Sequence, residues 1–286
     1  MDLTARPWRS VLYIPGSKPR ALEKARGLAC DAIIFDLEDA VSPSEKAAAR
    51  DTLAGALREG GFGARARIVR INALDTEWGA GDAAALSGLE VEGVLLPKVD
   101  GPAQLDALAA LVPDAALWAM MESPLGILGA GDIAAHPRLA GLVLGTNDLA
   151  KDLGCDAGGG RAALQVALQT ALLAARAHGR ICVDGVYNAF RDDDGLRAEC
   201  AQGVALGFDG KTLIHPGQIE IANAAFAPQP DAIDLAQRQI AAFDEAAARG
   251  EGVAVVDGKI VENLHIVTAK RLLAKARAIA RLEAGA

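Results

Sequence analysis

Residues 32–39 read Ala-Ile-Ile-Phe-Asp-Leu-Glu-Asp, an apolar run that breaks into three carboxylates within four positions. The run is short and rich in β-formers, which predicts a strand. The Ala/Leu-rich pattern over Ser44–Arg58 that follows predicts an amphipathic helix. Working outward, the same unit recurs toward both termini. Strands are predicted at Ser10–Ile14, Ala32–Phe35, Arg67–Ile71, Gly93–Leu96, Ala116–Met121, Gly141–Leu144, Ile181–Val183 and Gly210–Ile214. Helical patterns such as Gln104–Leu111, Arg161–Ala177 and Gly195–Ala205 lie between them. Strands joined by helical crossovers pair in parallel, because a two-residue turn cannot carry the chain back to its starting end. Eight such units fit the roughly 250 residues of a (β/α)₈ barrel, the TIM barrel. A doubly wound open sheet uses the same alternation. No G-x-G-x-x-G follows the first strand, which removes the main reason to choose its nucleotide-binding version.

The chain has 286 residues, 51% hydrophobic and 23% charged, the balance of a globular protein. Its 29 Lys+Arg against 37 Asp+Glu leave a net charge of −8 with no basic cluster. That argues against nucleic acid, where affinity comes from neutralised phosphates. No apolar run reaches the ~18–20 residues that cross a bilayer, and Met1–Arg9 is not followed by an apolar secretion segment. A soluble cytoplasmic protein without a membrane partner is therefore expected. Cys30, Cys155, Cys182 and Cys200 are scattered and read as small buried side chains rather than ligands or disulfides. Ala227-Pro228-Gln229-Pro230 is a natural break. It divides a catalytic barrel, residues 1–226, from an extension, residues 227–286. The extension carries helical patterns at Ala232–Arg249 and Val261–Leu282 around a short apolar run, Gly252–Val256. It would cap the barrel or reach a neighbouring subunit.

In a parallel barrel the chemistry gathers where strands end. The second strand ends in Asp36-Leu37-Glu38-Asp39, the third in Arg70-Ile71-Asn72, and the fifth in Glu122-Ser123-Pro124. The sixth ends in Gly145-Thr146-Asn147-Asp148 and the eighth in Gly210-Lys211-Thr212-Leu213-Ile214-His215-Pro216. Carboxylates crowded into one mouth repel each other unless a cation joins them. Oxygen donors without a Cys or His cluster suit Mg²⁺, with Glu122 and Asp148 on successive strand ends as the ligand pair. Either residue would otherwise cap the helix that follows. Arg70 offers a fork for a substrate carboxylate or carbonyl, or serves as counter-ion to Asp36, Glu38 and Asp39. His215 is an acid/base or a loop-shaping residue. His136, His178 and His265 read as structural or exposed.

Six motifs then occur in order: Arg9 through Ser17, Phe35 through Val41, Arg70-Ile71-Asn72, Met121 through Pro124, Gly145 through Leu149 with Asp152-Leu153-Gly154, and Gly207 through His215-Pro216. From about residue 9 to the last helix the chain resembles the citrate lyase β-subunit-like enzymes, or CoA ester lyases, of the HpcH/HpaI aldolase/citrate lyase family. The resemblance implies a Mg²⁺-dependent barrel that cleaves a 3-hydroxyacyl-CoA thioester (malyl-, citramalyl-, methylmalyl- or citryl-CoA) into acetyl- or propionyl-CoA and a 2-oxo acid by a retro-Claisen step. It implies assembly as a homotrimer or hexamer. It makes Glu122 and Asp148 the metal ligands and Arg70 the substrate-positioning cation, and it sets the Arg9–Arg20 segment, with Lys18 and Arg20, against the CoA phosphates. For the base, the family's aspartate after Gly-Lys-x-x falls at Glu262 here, one methylene longer and contributed to a neighbour's site; Asp39 is the second candidate. Three alternatives stand beside the lyase. One is a malyl-CoA thioesterase on the same fold, and another a β-subunit working within a complex. The third is a metal-dependent aldolase, disfavoured because those enzymes carry a histidine where Asp39 stands.

Overall fold

The computed structural model describes residues 6–156 and 161–285. The chain divides into two compact units, one of them Trp8–Phe226, with the second taking in the chain from Ala227.

In the larger unit eight strands form a closed barrel in sequence order: β1 Ser10–Pro15, β2 Ala32–Asp36, β3 Ala66–Arg70, β4 Gly93–Leu96, β5 Ala116–Met121, β6 Leu139–Leu144, β7 Ile181–Asp184 and β8 Gly210–Leu213. Every neighbouring pair is parallel, and β1 closes on β8 with Val11 opposite Thr212. That last pairing excludes the open doubly wound sheet. The helices between strands are α1 Pro19–Ala25, α2 Lys46–Glu59, α3 Gly79–Ala85, α4 Pro102–Leu111, α5 Pro124–Leu128, α6 Ala130–Ala135, α7 Thr146–Leu153, α8 Gln165–Ala177 and α9 Asp193–Leu206, with α10 Ile219–Phe226 after β8. Proline opens α1, α4 and α5, where its missing N–H costs nothing. Gly154 and Gly207, at φ 63° and 104°, end α7 and α9 in the left-handed conformation that a side chain resists.

The strand pleat divides the core in two. On β2, Ile33 and Phe35 pack under the helices with Leu12, Ile14, Val69 and Met121, while Ile34 and Asp36 point into the barrel. Each large apolar side chain so buried contributes about 1.5–3 kcal/mol. Inside the barrel, Trp118 on β5 packs against Trp8 with ring centroids 4.8 Å apart. There is room because Gly93 and Gly141 flank it; a Cβ at Gly141 would lie 2.4 Å from the indole. At the same N-terminal end, Arg9 grips the buried carboxylate of Asp31 through Nε (3.0 Å), Nη2 (2.9 Å) and its backbone N–H (2.7 Å). Arg9 therefore stands at the end of β1 opposite the mouth, which corrects its expected place beside CoA.

The smaller unit contains α11 Pro230–Ala248, β9 Ala254–Val256, β10 Lys259–Val261 and α12 Asn263–Glu283. Ala246, Ala254, Val256, Val261 and Ile266 form its core. β9 and β10 are an antiparallel hairpin around Asp257-Gly258, both at positive φ (50° and 73°). This corrects the helix expected from Val261: the residue belongs to a strand, and the Asp-Gly pair is the turn signal that marks it. Among the described residues no helix is long and apolar enough to cross a membrane.

Candidate active site

The C-terminal ends of the strands surround a cavity of about 320 Å³ lined by Tyr13, Asp36, Asp39, Arg70, Met120, Glu122, Asp148, Asn188 and Ile214, among others. Its wall is built around Arg70. Asp36 accepts from Arg70 Nε at 2.8 Å and Nη2 at 2.7 Å, and from the backbone N–H groups of Glu38 (2.9 Å) and Ala40 (3.0 Å). Arg70 Nη1 lies 2.7 Å from Glu38 Oε2 and 3.4 Å from Asp39 Oδ2. The guanidinium rests on the ring of Tyr13, 4.9 Å from its centroid. Arg70 thus serves as counter-ion to the β2 carboxylates and lines the cavity at the same time. Burial lifts the Glu38 carboxyl to about 7, with Arg70 opposing and Asp39 adding to the rise.

Glu122 stands across from this wall. Its Oε1 accepts the backbone N–H of Lys98 at 2.8 Å, an amide aimed by a left-handed Lys98 (φ 52°) just after β4. Oε2 lies over Gly145, where a Cβ would come within 2.5 Å of it, so only glycine leaves the carboxylate its place. Burial raises the Glu122 carboxyl to about 7; the Lys98 N–H and Arg70 lower it, and Asp148 and Asp39 push it further up. Asp148 sits in the first turn of α7 without capping it, the N-cap position being Gly145. Nor does Glu122 cap α5: Ser123 does, accepting from Gly126 N–H at 3.0 Å. Both carboxylates are therefore free of the capping role open to them in the sequence. Among the described residues no three His, Cys, Asp or Glu side chains gather as a metal cluster. The donors that fit a cation are these two hard carboxylate oxygens, one of them strained by burial beside a like charge, and that suits Mg²⁺ completed by water and substrate oxygens.

The structure does not bring every strand-end residue to the mouth. Asn72 is buried behind it, donating to Asp82 (2.6 Å) and Leu37 O (2.9 Å). Lys211 is fully buried, its ammonium donating to Gly185 O (2.6 Å), Glu199 (2.6 Å) and Asp184 (3.2 Å). Burial pushes the Asp184 carboxyl up, but Lys211 and Arg161 outweigh it and hold it below the usual range. His215 shapes its loop: Nδ1 accepts from Gly217 N–H at 3.1 Å and the ring stacks on Phe190. Lys18 and Arg20 are exposed at the start of α1 and do not line the cavity; Arg20 lines a separate groove with Glu23, Asp51 and Glu59. Glu262, in the smaller unit, is exposed at the N-cap of α12, its backbone N–H donating to His265 Nδ1 at 3.0 Å. Cys30, Cys182 and Cys200 are buried thiols and Cys155 is partly buried. Tyr13, Met120, Lys98 and Asn188 escaped the sequence reading. For Tyr13 a signal existed: a polar aromatic between Leu12 and Ile14 on a strand whose other face is packed.

The family model described as HpcH/HpaI aldolase/citrate lyase matches residues 9–216. A (3S)-malyl-CoA thioesterase of Cereibacter sphaeroides is 64% identical over 280 residues, covering 98% of both chains. An L-malyl-CoA/beta-methylmalyl-CoA lyase of the same organism is 35% identical over 306 residues, covering 96% of both. The crystal structure of CitE from Mycobacterium tuberculosis in complex with magnesium, acetoacetate and coenzyme A superposes with a TM-score of 0.78 at 32% identity, covering 95% of this chain and 98% of that one.

Proposed function

The chain belongs to the HpcH/HpaI aldolase/citrate lyase family, and within it we propose that the protein hydrolyses malyl-CoA to malate and coenzyme A. One observation carries this reading: the 64% identity to the thioesterase along the full chain, against 35% to the malyl-CoA lyase. It takes the place of the carbon–carbon cleavage expected from the motifs. Those motifs build a mouth for a 3-hydroxyacyl thioester, and such a mouth serves either bond.

Glu122 and Asp148 would hold Mg²⁺, as the magnesium in the related CitE complex supports. When bound, the ion supplies positive charge to substrate oxygens and stabilises negative charge developing on them. Asp36 takes the Nε/Nη2 fork of Arg70 in a two-point grip, so Nη1, on the side of Glu38 and Asp39, approaches a substrate oxygen with its orientation already settled. Asp39, its side chain 65% exposed beside that fork, takes a proton from water as the water attacks the thioester carbon. The C–S bond breaks, and the proton passes to the departing sulfur. Lys18 and Arg20 meet the CoA phosphates from the exposed start of α1. Glu262 acts as the alternative base in a neighbouring subunit of a homotrimer or hexamer. In its support, Glu262 stands between the exposed apolar side chains of Ile260 (63%) and Leu264 (61%), the setting of a residue presented at a contact surface.

The test is mass-spectrometric product analysis of malyl-CoA with the purified protein, in Mg²⁺ and in EDTA. Free CoA and malate, lost in EDTA, are expected. Acetyl-CoA with glyoxylate would overturn the reading.

A further inference from the structure

Tyr13 lies on β1 and points into the barrel, while its neighbours Leu12 and Ile14 pack under the helices. It sits a layer below the charged groups: Tyr13 is opposite Ile34, and Asp36, opposite Arg70, stands two residues further along β2. Its hydroxyl crosses the barrel to β5 and donates to Met120 Sδ at 3.5 Å. A thioether is a weak acceptor, so the phenol at the cavity floor keeps its donor capacity for a better one. The ring is held from above by the Arg70 guanidinium, which fixes where the hydroxyl points. The carboxylate over it, Asp36, already accepts four hydrogen bonds from the protein and does not compete for this donor.

Coenzyme A is far too large for a 320 Å³ cavity, so a thioester bound there enters acyl end first. The deepest group is then the one farthest from sulfur, which in a malyl thioester is the free carboxylate. We propose that the Tyr13 hydroxyl donates a hydrogen bond to this distal carboxylate and so selects ω-carboxyacyl thioesters over alkyl ones. This rests on the malyl-CoA reading above for the identity of the acyl group. A ring–guanidinium contact alone would not need the hydroxyl.

The experiment is titration calorimetry of the intact protein, with Mg²⁺ present, against succinyl-CoA and butyryl-CoA. These probes have the same four-carbon length and differ by a terminal carboxylate against a methyl group. Tyr13→Phe keeps the ring under Arg70 and removes only the hydroxyl. It should weaken succinyl-CoA binding about ten- to a hundredfold, as for loss of a hydrogen bond to a charged group, and leave butyryl-CoA binding and the melting temperature unchanged. With malyl-CoA the variant should raise KM more than it lowers kcat. Equal losses for both probes, or none for succinyl-CoA, would overturn the assignment. Calorimetry needs no turnover, so the two ideas fail separately. Acetyl-CoA as the product from malyl-CoA would remove the thioesterase reading while a succinyl-specific loss still upheld the role of Tyr13.

Discussion

Glu122→Gln should make the metal-free protein more stable at neutral and alkaline pH, although it removes a residue proposed as a ligand. Glu122 is 3% exposed, and its carboxyl is lifted from the ordinary 4.5 to about 7, first by burial. At about 1.4 kcal/mol per pH unit, ionising it inside the fold costs about 3 kcal/mol. The sign follows from the raised value. Below the unfolded pKa the group is neutral in both states and the cost is absent. It builds as pH rises from 4.5 to about 7 and is constant above. Glutamine keeps an oxygen for the Lys98 N–H and carries no charge. In EDTA, urea unfolding should therefore show the variant ahead of wild type by about 3 kcal/mol near pH 8, and by about 1 kcal/mol or less near pH 5. In a domain of this size the larger gap is a rise in Tm of about 6–12 °C. Saturating Mg²⁺ should stabilise wild type and not the variant, which closes the gap. A difference independent of pH, or a wild type more stable than the variant near pH 8 without metal, would refute the argument that an uncompensated buried charge sits at Glu122.

Gly141→Ala forces a Cβ to within 2.4 Å of Trp118 and should cost about 1–3 kcal/mol by thermal unfolding; an unchanged Tm would show that the indole can shift. Asp31→Ala leaves the buried Arg9 guanidinium without its two-point partner and should cost about 3–5 kcal/mol. Because the pair is at the barrel end away from the cavity, kcat/KM of the folded fraction should stay at the wild-type value. Arg70→Ala should be inactive alone, and Glu262→Ala inactive alone only where Glu262 rather than Asp39 is the base. In that case, if Glu262 acts in a neighbour's site, refolding the two together should restore roughly a quarter of wild-type activity, the share of sites pairing an intact barrel with an intact tail; a Glu262→Ala variant active by itself would leave Asp39 as the base.

The eight strands were legible because their signal is local. Apolar runs of three to six residues, each followed by a helical pattern, place the strands within a residue or two of where they occur, and Gly93–Leu96 and Ala116–Met121 coincide with β4 and β5. Mouth residues were legible for a related reason: in a parallel barrel the C-terminal ends of all strands lie at one end, so Asp36, Arg70, Glu122 and Asp148 could be set near the mouth from order alone. The hairpin around Asp257-Gly258 was equally local: its first strand, Ala254–Val256, falls in the apolar run Gly252–Val256, while the second, Lys259–Val261, abuts a helical pattern that absorbs Val261.

What the amino-acid order determined by itself was thus the number and sequence of elements and which side chains stand at strand ends. The fold as a whole decided what those side chains do. Closure of β1 on β8 joins residues some 200 positions apart, which no local pattern encodes. Asn72 follows β3 just beyond Arg70 and Lys211 lies within β8, yet they turn to Asp82 and Asp184, because a buried charge or amide goes to the partner that packing places within reach. The rise in the Glu122 carboxyl comes from burial and from the neighbouring Asp148 and Asp39, against the pull of the Lys98 N–H and Arg70. Electrostatic character of this kind depends on distance and on exclusion of water, and both exist only once the strands are side by side.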